Sequence, residues 1–236
     1  MCGRYSYHKA VHEAIKALQV ESTTPEEASN TPPCYNASPG TAVPTLLAGE
    51  GPTPVMKWLH WGWSKRAESN NHVASQMLIN ARAETAPQKR MFQHACHHRR
   101  CLLPADGFFE WKKSERGKSQ PYFFHAHDRR SFFLAGIYRS GDQEDACVIL
   151  TTEPNDAVKP IHRRMPVVLW FEQAQAWLTQ NPLSENDWQR HTQSSAAALW
   201  KRHPVSKTVN YPEHTGPECI EPIPEANTAP QQIDLF

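Results

Sequence analysis

Arg100-Cys101-Leu102-Leu103-Pro104-Ala105-Asp106-Gly107-Phe108-Phe109-Glu110-Trp111-Lys112 opens the stretch that decides the fold. It holds two β-rich runs, Arg100 to Leu103 and Phe108 to Lys112. Three more follow at Tyr122 to Ala126, Ser131 to Tyr138 and Ala146 to Thr152. All draw on the β-branched and aromatic residues that suit a pleated surface. Upstream, Ala42 to Leu47, Val55 to Trp63 and Met77 to Asn80 also read as strands. Val11, Ala14, Ile15 and Leu18 recur at helical spacing, and Pro87 to His98, Glu172 to Thr179 and Ser194 to Trp200 read as further helices. Strands outnumber helices and are not regularly interleaved with them. That pattern predicts an α+β fold, with a curved, mostly antiparallel, barrel-like sheet and flanking helices.

The rest of the chain is loop. Glu21 to Gly40 carries four prolines and little periodicity, and Ser64 to Gln76 is polar. From Pro212 the chain turns Pro-, Glu- and Asn-rich, which predicts one domain over 1–211 and a flexible tail over 212–236. The 236 residues suit one large domain, and 39% hydrophobic residues with 8 Trp are enough for a sizeable core. A net charge of +1 excludes a global basic field, so a nucleic-acid site has to be local. Met1 to Ala10 has no apolar signal region, and no apolar run approaches a membrane span. The six cysteines are therefore expected to be reduced thiols in a cytoplasmic protein.

Met1-Cys2-Gly3-Arg4 holds the most distinctive chemistry. Initiator methionine is normally trimmed before a small residue, which leaves Cys2 with an α-amine and a thiol on neighbouring carbons. Their reference pKa values are about 7.7–8.0 and about 8.5, so both are partly deprotonated at cell pH. Such a 1,2-aminothiol condenses with an aldehyde to an imine and then closes a thiazolidine ring. Asn80, Glu110, His162 and His203 stand at or near the ends of apolar runs, where a rigid strand can aim them into a pocket. Glu110, among three aromatics, is either the polar face of an alternating strand or a desolvated acid of raised pKa. His94 to Cys101 invites a metal reading, but no second Cys/His pair at zinc spacing follows, so neither metal nor cofactor is expected.

Seven segments occur in order: Met1-Cys2-Gly3-Arg4, Tyr35-Asn36-x-x-Pro39-Gly40-Thr41, Trp61-Gly62, Ile79-Asn80-Ala81-Arg82-x-Glu84-Thr85, Arg100-Cys101-Leu102-x-Pro104-Ala105-Asp106-Gly107-Phe108-x-Glu110-Trp111, Ile161-His162-x-Arg164-Met165-Pro166-Val167 and His203-Pro204-Val205-Ser206. Together they resemble the SOS-response-associated peptidase (SRAP) family of abasic-site processing proteins. The resemblance implies one α+β domain that binds single-stranded DNA and captures the ring-opened aldehyde of an abasic site as a thiazolidine. It implies Cys2 as nucleophile, Asn80 as hydrogen-bond partner of the reacting terminus, and Glu110 as general acid/base. His162 would stabilise the opened sugar, and Arg4, Asn36, Pro39, Arg82, Arg164 and Ser206 would meet the DNA. Trp61, Trp63 and Phe109 serve either for base stacking or for core packing.

Three other readings compete. An N-terminal-nucleophile glutamine amidotransferase also begins Met-Cys-Gly, but its downstream Asn-Gly-Glu and Gly-Pro-Asp elements are missing here. A cysteine peptidase would use Cys2, His162 and Glu110, and its activity would be self-processing that exposes Cys2. A non-catalytic sensor would only shield lesions in single-stranded DNA. At the far end, Gln232-Ile233-Asp234-Leu235-Phe236 resembles the peptide by which repair proteins dock on the bacterial sliding clamp. The alternative there is a terminal strand folded back on the domain. The expected location is cytoplasmic, on the nucleoid when DNA is bound.

Overall fold

The β-rich runs around Phe108 and Leu134 pair as strands, but they divide between two sheets. The computed structural model describes residues 2–22, 31–64, 77–113, 119–141, 145–179 and 182–224. In chain order the elements are β1 (Tyr5–Tyr7), α1 (Ala10–Leu18), β2 (Glu21–Ser22), β3 (Cys34–Ala37), β4 (Ala42–Leu47), β5 (Val55–Trp61), β6 (Trp63–Ser64), β7 (Met77–Leu78) and β8 (Asn80–Arg82). There follow α2 (Arg90–His98), β9 (Arg100–Ala105), β10 (Gly107–Lys112), β11 (Gln120–Ala126), β12 (Phe132–Arg139), β13 (Ala146–Thr152), β14 (Met165–Pro166) and β15 (Val168–Leu169). The last are α3 (Phe171–Thr179), α4 (Glu185–Thr192) and β16 (Trp200–Pro204).

One sheet is antiparallel throughout, in the order β16-β11-β10-β1-β3. The other runs β14-β13-β12-β9-β4-β5-β2, and β13 also pairs in parallel with β5. That extra pairing closes β13, β12, β9, β4 and β5 into a ring, so the α+β, barrel-like expectation holds. Closure removes the edges that a long apolar sheet would otherwise expose. It also explains why β9, β12 and β13 are apolar on both faces: Leu102, Leu103, Leu134, Ile137, Val148, Ile149 and Leu150 are all fully buried. Asp106, between β9 and β10, accepts from the amides of Lys9 and Ala10, capping α1 from across the fold. At Gly107 a Cβ would lie 2.1 Å from the Phe123 ring and 2.6 Å from the Phe124 carbonyl, so only glycine lets β10 start this close to β11.

Four local expectations need correction. The loop expected over 21–40 contains β3, held by pairing of Ala37 with Tyr5 and of Cys34 with Tyr7. The helix expected over Ser194–Trp200 is only a 3-10 turn, Ala197–Leu199, because Trp200 to Pro204 is drawn into pairing with β11. Helix α4 was not foreseen; its Ser184 cap accepts from the Asp187 amide, and it buries Trp188. The tail expected to be flexible from Pro212 packs onto the domain as far as Pro224. Cys219 is buried there, Pro222 bridges to Val205, and the Thr215 carbonyl accepts from the Tyr35 amide. The polar loop over 65–76 and the peptide over 232–236 lie outside the described residues. Among the described residues no helix is long and apolar enough to cross a membrane.

Candidate active site

Strand β10 decides the environment of Glu110. Side chains alternate along a strand. Phe109 and Trp111 turn to a small cluster with Phe123, Val205 and Val209, while Phe108 joins the main core. Glu110 shares the Phe108 face and is 1% exposed. The strand's polar residue is thus the desolvated acid, and burial pushes its carboxyl up to about 8.

Three other segments reach the same place. Arg4 accepts at its carbonyl from the Phe109 amide at 3.0 Å, just before β1 pairs Tyr5 with Phe108. This lays the start of the chain beside β10, and Cys2 is fully buried. Burial, helped by the Glu110 charge, raises its thiol far above the usual range, so the sulfur is held as S–H. Asn80, the first residue of β8, donates from Nδ2 to the Cys2 carbonyl at 2.8 Å. Its Oδ1 is buried, with no hydrogen-bond partner among the described residues.

His162 arrives on a turn built by Asn155, whose Oδ1 accepts from the amides of Ala157 and Val158. The His162 amide donates to the Val158 carbonyl at 3.0 Å. Its Nδ1 lies 3.5 Å from Glu110 Oε2, 3.0 Å from the Arg164 carbonyl and 3.2 Å from the Arg164 amide. Burial lowers the imidazole pKa. At neutral pH the pair is thus a protonated carboxyl beside a neutral imidazole, one able to give a proton and one able to take it. A buried thiol, an amide bonded to its carbonyl and a carboxyl–imidazole pair come together where the two sheets meet.

The residues expected to meet DNA fare differently. Arg82 is exposed, and Pro39 is half-buried beside exposed Gly40. Arg4 is half-buried and donates to the Asn210 carbonyl. Asn36 does not reach solvent: its Nδ2 donates to the carbonyls of Val209, Tyr211 and His214, so it staples the C-terminal segment to β3. Ser206 accepts from the Thr208 amide and starts a 3-10 turn. Arg164 has both terminal nitrogens on Glu84, at 2.8 and 2.7 Å, instead of facing outward. Trp61, Trp63 and Phe109 are buried and belong to the core. His203 bonds the Ile220 carbonyl. Sequence reasoning gave no role to Lys113, exposed and close enough with Arg163 to depress the His162 pKa, or to Tyr211, 58% exposed beyond Asn210. Only their residue types signalled them.

Fold and site together define a single-domain α+β protein built around a cysteine–carboxylate–histidine centre. The chain belongs to the SRAP family, SOS response associated peptidase, whose profile matches residues 1–212. It is 32% identical over 231 residues to the Abasic site processing protein YedK of Escherichia coli, covering 94% of this chain and 100% of that one. It is 30% identical over 230 residues to the Abasic site processing protein YoqW of Bacillus subtilis, covering 94% and 99%. A crystal structure of a Bacteroides thetaiotaomicron protein shares the fold, with a TM-score of 0.77 at 22% identity, over 94% of this chain and 100% of that one.

Proposed function

We propose that this chain acts in the DNA-damage response by processing abasic sites, and that it does so by covalent capture in single-stranded DNA. The observation that carries the reading is the meeting of Cys2, Asn80, Glu110 and His162 from four separate segments. Removal of Met1 frees the Cys2 amine; self-processing at the same centre would account for the peptidase in the family's description. The abasic sugar opens when its C1′ hydroxyl loses a proton and the ring oxygen gains one, an exchange suited to His162 and Glu110. The amine then condenses with the aldehyde and one water leaves. Asn80, held to the Cys2 carbonyl through Nδ2, has a buried Oδ1 left to accept from the amine. The S–H adds across the C=N bond, sulfur to carbon and proton to nitrogen, closing the thiazolidine. The raised thiol pKa favours this order, with the amine reacting first and the sulfur second.

The deciding experiment is the intact mass of the protein after incubation with an abasic single-stranded oligonucleotide. The expected species is the chain lacking Met1 plus the oligonucleotide, less one water, with the link mapped to Cys2. An adduct on an internal residue, or none, overturns the reading. The far C-terminal peptide supports one addition: Gln232 and the apolar Ile233, Leu235 and Phe236 suit docking on the replication sliding clamp, which would hold the domain near exposed single strands.

A further inference from the structure

Glu84 stands outside the cysteine–carboxylate–histidine centre, yet its carboxylate is tied to it by a short chain of contacts. Both its oxygens accept from Arg164, Oε1 from Nη1 at 2.8 Å and Oε2 from Nη2 at 2.7 Å, and Arg164 Nη2 also donates to the Thr151 carbonyl. Such a two-pronged pair fixes a guanidinium in direction as well as distance. Arg164 is the residue whose own amide and carbonyl both face His162 Nδ1. A neutral Nδ1 accepts from that amide, and a protonated Nδ1 donates to that carbonyl. One peptide segment therefore serves both protonation states without turning the ring away from Glu110. Glu84 follows β8, whose first residue, Asn80, holds Cys2. The Ala83 amide is bonded to the Thr151 carbonyl, which anchors the Glu84 turn on β13.

We infer that Glu84 is a positioning residue, clamping Arg164 so that the Arg164 peptide holds His162 against Glu110. The inference rests on the capture reading for its consequence and on the contact chain for its cause. Arg164 thereby has a place in the centre besides any phosphate contact: its guanidinium is paired with Glu84 in the free fold, with a side chain only 13% exposed. Burial is the largest single influence and works against the Glu84 charge, but the Arg164 hydrogen bonds, nearby backbone hydrogen bonds and the Arg164 charge together outweigh it, so the carboxyl lies below its ordinary value and stays ionised at neutral pH.

The test is a double-mutant cycle read by single-turnover crosslinking. Glu84→Gln is expected to slow adduct formation about tenfold, within the range for residues that share one network. In a His162→Ala background the same change should slow it no further, and affinity for an intact oligonucleotide should stay within about twofold. Equal slowing in both backgrounds would make Glu84 a merely structural residue and sink the inference. A second readout needs no DNA: the His162 ring resonances in the free protein should move in Glu84→Gln, and unchanged resonances also overturn it. Should Glu84→Gln fail to fold, Glu84→Asp, with the carboxylate drawn back, is put through the same cycle. If wild type forms no adduct, or His162→Ala reacts as fast as wild type, the capture reading fails instead, and the ring resonances still decide the positioning.

Discussion

Replacing Glu110 with glutamine removes a charge while leaving shape nearly unchanged, and its effect on stability depends on pH. In the unfolded chain the carboxyl titrates near its ordinary value of 4.5; in the fold, burial moves it to about 8. Each tenfold in that proton equilibrium is worth about 1.36 kcal/mol, so ionising Glu110 inside the protein costs roughly 5 kcal/mol more than outside. The sign follows from proton uptake. Between pH 4.5 and about 8 the folded state holds a proton that the unfolded state has released, so wild-type stability falls through that window and levels off above it. The glutamine side chain cannot ionise, so the Glu110→Gln protein escapes the fall. Urea unfolding from pH 5 to 9 should show this variant gaining on wild type by several kcal/mol, most of it by pH 8. Crosslinking should move the other way, slowed about 10²–10⁴-fold by loss of the proton donor. Parallel stability curves for the two proteins would refute the desolvated acid, and with it the acid–base role.

Cys2→Ser should still form an imine, trapped by borohydride, but no adduct that survives heating, and a chain that keeps Met1 should form neither; a stable adduct from either protein rules the thiazolidine out. Asn36→Ala should lose roughly 1–3 kcal/mol, two amide N–H donors shared among three carbonyls at about 0.5–1.5 each, with single-strand affinity unchanged. An affinity loss without destabilisation would restore Asn36 as a DNA contact. Arg82→Ala should lessen the salt dependence of single-strand binding by about 0.7 in log–log slope, one phosphate's share; an unchanged slope removes Arg82 from the DNA path. Deleting Gln232 to Phe236 should abolish capture of the protein on immobilised clamp and leave crosslinking of a short oligonucleotide intact, whereas lost crosslinking would mean the peptide belongs to the fold.

The runs that became β9 to β13 were legible because burial on both faces demands unbroken apolar sequence. Where pairing partners dominate, the sequence misled. Ala196-Ala197-Ala198-Leu199 has good helix propensity, yet the adjoining Trp200 is needed against Phe108 and Phe132, and the chain extends. The segment past Pro212 looked disordered because its anchors are backbone carbonyls, which composition does not record. The same limit applied at the site. Cys2, Asn80, Glu110 and His162 stood out as candidates because the chemistry expected of them lies in their own side chains and their quoted motifs, and the fold brings them together. Asn36 and Arg164 were expected to meet DNA from the resemblance; that expectation carried no hint of the three carbonyls and one carboxylate that they bond in the free fold. Glu84 stood in a quoted motif, but nothing in its spacing pointed to a partner 80 residues away.

The meeting of two sheets at the site also sets a timetable. Cys2 is made early, but its carbonyl meets Asn80 only 78 residues on, and Arg4 meets Asn210 only 206 residues on. Contacts this far apart form late, because the entropy of closing such loops has to be met before they give anything back. Until then the nascent terminus has no buried acid beside it and no Asn80 amide on its carbonyl. An interrupted or truncated chain therefore lacks the assembled site, and the covalent capture proposed above would arrive only with the last strands.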